Sequence, residues 1–230
     1  MEANKPVEVH LNFYRRLKAF NVILSNIIDG GCHKGSWTEK IKEIYPEANF
    51  HLIDANPKYK ADCEKFGKFY NFALGEKDEE REFYFSTKLG GETGNSLYKE
   101  NTNVDFEAKT IQVKKLTNVV PDLKYDLIKL DLQGAELEVI EGSLHLFQKT
   151  KFVQLECPVH ENNIGAPKFE HYINYMSNSG FKVFDCESLF INCKLMAMDV
   201  VFVNTTLPKV STLENSKIYY EKKGKDDTPA

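Results

Sequence analysis

Asn26-Ile27-Ile28-Asp29-Gly30-Gly31-Cys32-His33-Lys34-Gly35 is the stretch on which the fold turns. The apolar pair Ile27 and Ile28 makes a short buried strand, the glycines break it, and a helical pattern opens at Ser36 with Trp37, Ile41 and Ile44 on one side. Strand, glycine loop and helix form the unit that starts an α/β sheet, whose ligand binds at the carboxyl end of that first strand, next to the topological switch point.

Working outward, the pattern repeats. Residues 50–54 read as a buried strand ending in Asp54, Pro57 suits the first turn of a helix over 59–66, and 68–74 returns to strand. Such alternation predicts a parallel sheet with crossover helices. Residues 82–86 add a further strand. Residues 88–103 are polar, with Gly90, Gly91 and Gly94, and read as a loop over one edge, the kind of loop that carries function. A strand is expected at 111–113 and another at 125–130, running into Asp131, Gly134 and a helix that buries Leu137, Ile140 and Leu144. Residues 151–156 repeat that design. A helix at 169–177, a strand at 181–184 and an apolar run at 197–203 close the fold, the short turns between them predicting an antiparallel hairpin.

Upstream, Val9, Phe13, Leu17, Phe20 and Leu24 recur at helical spacing, so 8–24 is expected to pack as a helix on the core. Beyond Pro208 the composition turns to Lys, Glu, Asp and Ser, which predicts a mobile tail. The expected division is a helical extension over 1–25, an α/β domain over 26–207 and the tail over 208–230. The sheet should be mostly parallel and seven-stranded, ending in the antiparallel hairpin.

Composition bounds the function. A chain of 230 residues with 42% apolar, 12% aromatic and 28% charged residues fits one globular domain and excludes disorder or a fibrous repeat. A formal charge of -4 argues against a surface made to grip nucleic acid. The 5 cysteines, at 32, 63, 157, 186 and 193, show neither metal-type pairs nor a disulfide framework, so a reducing setting is expected. With no apolar leader at the start and no run of membrane-spanning length, a cytoplasmic location is expected.

Three ligands compete for the glycine loop. A nucleoside triphosphate loop needs Lys and then Ser or Thr after its second glycine, whereas Ser36 and Trp37 follow Gly35. A dinucleotide loop needs a central glycine where the pyrophosphate touches bare backbone, and Cys32 stands there. S-adenosylmethionine has no phosphate to cradle. It carries an ammonium, a sulfonium and a ribose diol, and so calls for carboxylates: Asp29 before the glycines, for its amino acid end, and Asp54 at the end of the second strand, for the ribose hydroxyls. Asp54 alone would equally suit a nicotinamide cofactor. The glycine pattern decides.

These residues resemble a known family. Asp29-Gly30-Gly31-Cys32-His33-Lys34-Gly35, Asp54-Ala55-Asn56-Pro57, Asn71-Phe72-Ala73-Leu74-Gly75, Gly94-Asn95-Ser96-Leu97 and Ile128-Lys129-Leu130-Asp131-Leu132-Gln133-Gly134-Ala135-Glu136 are similar, in order and spacing, to the motifs of the FkbM family of methyltransferases. The resemblance implies a Rossmann-like class I methyltransferase sandwich over 26–207, S-adenosylmethionine as donor, and a sugar or small-metabolite hydroxyl as acceptor. It places Asp29, Gly30, Gly31, His33, Gly35, Asp54, Ala55, Ala73 and Asp131 at the cofactor. Two residues depart from the pattern. Asp54-Ala55 stands where the family commonly has Glu before Pro-Asn-Pro, and Gln133 replaces a Glu, keeping hydrogen bonding but unable to take a proton.

Methyl transfer from a sulfonium is an in-line displacement, so the enzyme's main task is to align acceptor oxygen, methyl carbon and sulfur. A general base helps as the alcohol attacks. Asp131 is the first candidate, with His33, Glu156 and His160 beside it. Plainer readings stand beside these roles: Asp54 as a helix N-cap before Pro57, Asp131 as the cap of the helix near Gly134, Glu136 as a solvated or ion-paired helix residue, the two histidines as surface groups, and Cys32 and Cys157 as small buried apolar groups. Asp131, Glu156 and His160 match no recognised metal spacing, and no metal is expected. A nicotinamide-dependent oxidoreductase and a non-catalytic binding module are the rival functions, the first disfavoured by Cys32 and the second suggested by Gln133.

Overall fold

Leu11, Phe13, Tyr14 and Leu17 bury one face of the first helix, α1 (Leu11–Ala19), against the sheet. The computed structural model describes residues 11–87, 94–103, 105–191 and 193–207. The helix expected over 8–24 ends early for a local reason. Asn21 adopts a left-handed φ of 57°, its N–H bonds Lys18 O, and the Val22 N–H bonds Leu17 O at 2.9 Å, the pairing of a Schellman motif. Phe20 is left 75% exposed, and Leu24 reaches the core from the following coil.

The chain continues through β1 (Asn26–Gly30), α2 (Ser36–Ile44), β2 (Asn49–Asp54), a 3-10 turn (Pro57–Tyr59), α3 (Lys60–Cys63), β3 (Lys68–Asn71), β4 (Ala73–Leu74), β5 (Glu79–Ser86) and β6 (Phe106–Lys114). It then forms α4 (Leu116–Val119), β7 (Leu127–Leu130), α5 (Glu136–Gly142), α6 (Leu144–Phe147), β8 (Phe152–Pro158), α7 (Phe169–Asn178), β9 (Phe181–Ile191) and β10 (Lys194–Asn204). The main sheet has 7 strands in the order β3-β2-β1-β7-β8-β10-β9. β3, β2, β1, β7 and β8 pair in parallel, while β10 runs antiparallel to both β8 and β9, giving the expected hairpin.

Helices cover both faces. Ile27 turns to a layer holding α1, α2 and α3, with Leu11, Phe13, Ile41 and Cys63, while Ile28 turns to a layer holding α4 to α7, with Leu116, Ile140, Phe147 and Met176. Strands buried on both sides read as continuous apolar runs, which is why β1, β7 and β8 stand out in the sequence. The order reverses between β1 and β7. β1 pairs in parallel with β2 on one side and with β7 on the other, and this is the crevice where α/β folds bind ligands.

A second, 3-stranded sheet, β4-β6-β5, was not anticipated. The single strand expected over 68–74 divides at Phe72: the Asn71 amide donates to Asp54 O and Ala55 O, both at 2.9 Å, and Ala73–Leu74 then leaves to pair with β6. Residues 94–103 lie over this sheet and bridge two segments, through Tyr84 with Ser96 and Glu100 with Asn163. The earlier part of the expected loop, 88–93, and the tail 208–230 lie outside the described residues. No helix among the described residues is long and apolar enough to cross a membrane.

Candidate active site

Two loops meet at the carboxyl edge of the switch point. After β1, the Gly31 and Cys32 N–H groups both donate to Ile53 O, and the His33 N–H donates to Asp54 Oδ2 at 2.9 Å, so the glycine loop is clipped to the end of β2. Gly31 has φ +75°, and a Cβ there would lie 1.8 Å from the Asp131 carbonyl oxygen. Only glycine lets the loop after β1 pass so close to the loop after β7. His33 and Gln133, one in each loop, also hold left-handed φ values of 49° and 56°, a conformation that non-glycine residues keep where the surrounding structure imposes it.

These loops wall a cavity of about 990 Å³. Gly31, His33, Asp54, Ala55 and Ala73 line it from the β1–β2 side. Asp131, Gln133 and Glu156 line its middle, and His160, with residues of the β9–β10 hairpin, the far side. Gly30 and Gly35 are buried outside it. Gly35 is the left-handed N-cap of α2, and a Cβ on Gly30 would press on Leu130 at 2.7 Å.

Asp29, expected to act on the donor's amino acid end directly or through water, is not among the residues that line the cavity. Its side chain is 0% exposed, accepts the Thr38 hydroxyl at 2.7 Å and faces the Lys129 ammonium at 3.3 Å. Lys129 spans from Asp29 to Asp131, 3.4 Å away, and lies over the Trp37 ring. Burial opposes its charge, but Asp29, Asp131 and Asp199 outweigh burial and raise the ammonium above the usual lysine range. Lys129 thus links the buried Asp29 to Asp131 at the cavity wall. Beyond this pair, the Gln133 Nε2 donates to Asp131 Oδ1 at 2.9 Å and to Glu156 Oε2 at 2.6 Å. Burial, with Asp131, Asp199 and Glu136 nearby, pushes the Glu156 carboxyl well above the ordinary range, against Lys129.

The capping alternatives resolve onto other residues. Asn56 caps the 3-10 turn by accepting the Lys58 N–H, and Asp54 Oδ1 accepts the Asn56 N–H at 2.8 Å. Burial raises the Asp54 carboxyl to about 6, against these two backbone donors from Asn56 and His33. At the start of α5 the N-cap position is Ala135, with no side-chain cap, so Asp131 does not cap that helix. Far from solvated, Glu136 is 0% exposed and accepts the Leu132 N–H at 2.6 Å, the Gly134 N–H at 3.1 Å and the Tyr172 hydroxyl at 2.6 Å. Cys32 and Cys157 are buried free thiols.

Of the expected site residues, the cavity thus brings together Gly31, His33, Asp54, Ala55, Ala73, Asp131, Glu156 and His160. Lys129 was missed. Its signal was present: a lysine inside the apolar run Leu127-Ile128-Lys129-Leu130, two residues before Asp131 and so on the same strand face. The amide-rich wall of Asn95, Asn101, Asn162 and Asn163 draws on the polar loop whose sequence already pointed to function and on the segment after β8, two stretches that only the fold joins. Among the described residues no group of three or more His, Cys, Asp or Glu side chains is arranged to hold a metal ion.

The family model described as the Methyltransferase FkbM domain matches residues 29–183. The 2-O-methyltransferase NoeI of Sinorhizobium fredii (strain NBRC 101917 / NGR234) is 24% identical over 150 residues, which cover 56% of this chain and 62% of that protein's length. An S-adenosylmethionine-dependent methyltransferase from Clostridium acetobutylicum ATCC 824 superposes with a TM-score of 0.50 at 10% identity, over 83% of this chain and 88% of the other. Magnesium protoporphyrin IX methyltransferase from Synechocystis PCC 6803, solved with bound SAM, does so with a TM-score of 0.48 at 11% identity, over 88% and 86%. At 10% identity the Clostridium likeness speaks to the fold alone, a Rossmann-like class I methyltransferase sandwich. The family match begins at Asp29 and ends within β9, taking in both loops and the acids between them, and by it the chain belongs to the FkbM methyltransferase family.

Proposed function

We propose that the protein is an S-adenosylmethionine-dependent methyltransferase acting on a hydroxyl of a carbohydrate or similar polyhydroxylated small molecule. The observation that carries the donor is Asp54. Each of its carboxylate oxygens accepts one backbone N–H, from His33 and from Asn56, so each keeps a lone pair for one hydroxyl of a ribose diol. Ala55 and Ala73 leave room beside it, and Asp131 supplies negative charge for a ligand with an ammonium and a sulfonium. The residues present fit that donor. When bound, it supplies an electrophilic methyl group, and the chain's own task is to orient an acceptor and manage its proton.

The far part of the cavity supports a polyhydroxylated acceptor. Asn101, Asn162, Asn163 and Glu161 offer donors and acceptors for hydroxyls, while Leu189 and Met196 of the hairpin give an apolar wall suited to a sugar ring face. Lys194 is the one lysine among the described lining residues, and no arginine accompanies it, which disfavours a phosphorylated acceptor. The name of NoeI, a 2-O-methyltransferase, also favours oxygen. A cytoplasmic setting fits the free thiols of all five cysteines.

Calorimetry with S-adenosylhomocysteine and NAD, followed by transfer of labelled methyl from S-adenosylmethionine to a panel of methyl glycosides, tests this reading. The expected result is binding of the first compound alone and label on a glycoside oxygen. Tight NAD binding with no response to S-adenosylhomocysteine overturns it, and label found only on amines overturns the oxygen assignment.

A further inference from the structure

We propose that Glu156 takes the proton from the acceptor hydroxyl, that Asp131 is its anchored neighbour, and that Gln133 is the positioning residue that sets the two apart. This rests on the methyltransferase reading above and deepens it.

The sheet register lays out the two acids. Asp29 pairs with Lys129 across β1 and β7, and Lys129 pairs with Gln154 across β7 and β8, forming one polar row. Two residues further along the same strands, on the same face, come Asp131 and Glu156 at the cavity. Their surroundings differ. Asp131 is held by the Lys129 ammonium. Among the described residues no cation pairs with Glu156, which accepts a hydrogen bond from the neutral Gln133 amide. One NH2 group thus gives a hydrogen to each acid and keeps them in fixed relation. A carboxylate at 133 would put a third acid between two; the amide donates instead.

Two carboxyl groups in unlike environments commonly divide the labour of catalysis, the one with greater proton affinity handling the proton. Glu156 has that environment. Asp131 and Lys129 face it from β7 and its loop, Asp199 from β10, and Glu136 from α5, with Tyr172 on α7 coupled to the same cluster. A base works best when its proton affinity lies near the operating pH, and burial among acids moves a glutamate in that direction. In the step itself, a lone pair of the acceptor oxygen forms the new O–C bond to the methyl carbon. The C–S bond breaks with its electron pair left on sulfur, which becomes a neutral thioether. The O–H proton passes to the Glu156 carboxylate and from there to water.

The test combines a titration with turnover. In protein labelled with carbon-13 at glutamate carboxyls, the resonance lost in Glu156→Gln should titrate above the ordinary carboxylate range. In Gln133→Met its midpoint should move to higher pH, because the lost N–H favoured the charged form. With the methyl glycoside that accepts label, Glu156→Gln should lower kcat about 100-fold while binding S-adenosylhomocysteine as tightly as the unsubstituted protein. The rising limb of the rate against pH should shift upward in Gln133→Met, which a merely structural role would not produce. A Glu156 resonance titrating in the ordinary range overturns the proposal, as does a Glu156→Gln protein within about threefold of the unsubstituted kcat. Failure of the underlying reading has a different signature: no variant, and not the unsubstituted protein either, would bind S-adenosylhomocysteine.

Discussion

The Lys129 ammonium and the Asp29 carboxylate meet 3.3 Å apart with side chains only 8% and 0% exposed. Desolvating two charges is costly, and breaking such a pair from one side leaves the other charge buried alone. Lys129→Met and Asp29→Leu are each expected to lower stability by about 3–5 kcal/mol. The double variant should recover a substantial part of that loss, since it removes both charges together. Urea unfolding of the three proteins measures it; equal costs that simply add would show that the pair is not coupled.

Gly31→Ala should be as damaging for a different reason. The added Cβ would sit 1.8 Å from the backbone oxygen of Asp131, and φ is +75°. Backbone cannot yield as a flexible side chain does, so the two loops must separate. The expected cost is on the order of 3 kcal/mol, with loss of S-adenosylhomocysteine binding. Gly30→Ala meets the end of a leucine side chain instead, and is expected to be milder in both calorimetry and unfolding.

These two sites show what the sequence exposes and what it hides. The glycine loop, Asp54 and Asp131 were legible because strand ends in a parallel sheet converge at one edge, so order along the chain predicts nearness in space. The burial of Asp29 was not legible, because its backbone position is at the strand end while its side chain, like that of Lys129, is buried in the sheet's interior. Strand lengths were underestimated where burial is slight. β6 buries only Val113, and β9 only Phe181, so backbone pairing with β5 and β10 extends these strands well past their apolar signal. The short β4 was hidden within the run at 68–74, because its partner lies in the strand at 106–114.

Donor affinity should depend on pH through Asp54. Burial raises its carboxyl to about 6, and only the ionised form accepts both hydroxyls of a diol. S-adenosylhomocysteine binding should therefore strengthen as pH rises through 6 and be about tenfold weaker one pH unit below it. Stability runs the other way. Between the ordinary aspartate value and about 6 the folded protein holds a proton that the unfolded chain has released, so this group's contribution to stability falls as pH rises across that window. Calorimetry from pH 5 to 7.5 decides: Asp54→Asn should bind more weakly and lose the pH step, and a step that persists in Asp54→Asn assigns it to another group.

Glu136 and Tyr172 give the last prediction, in which two substitutions in one buried network part company. Three donors converge on the Glu136 carboxylate: the Leu132 N–H, the Gly134 N–H and the Tyr172 hydroxyl. Tyr172→Phe removes one donor and leaves the acceptor satisfied by backbone, so about 1.5 kcal/mol of stability should be lost with little effect on ligand affinity. Glu136→Gln keeps the shape but offers a single acceptor oxygen, and turns an NH2 group toward donors that need an acceptor. At least one buried N–H is then orphaned, at about 1–3 kcal/mol for that group, beyond the bonds lost. The segment these N–H groups tie down carries Gln133, whose amide holds Asp131 and Glu156. Glu136→Gln should accordingly weaken S-adenosylhomocysteine binding as well as stability, although Glu136 itself does not line the cavity. Equal affinities in the two variants would show that the loop keeps its shape without the carboxylate.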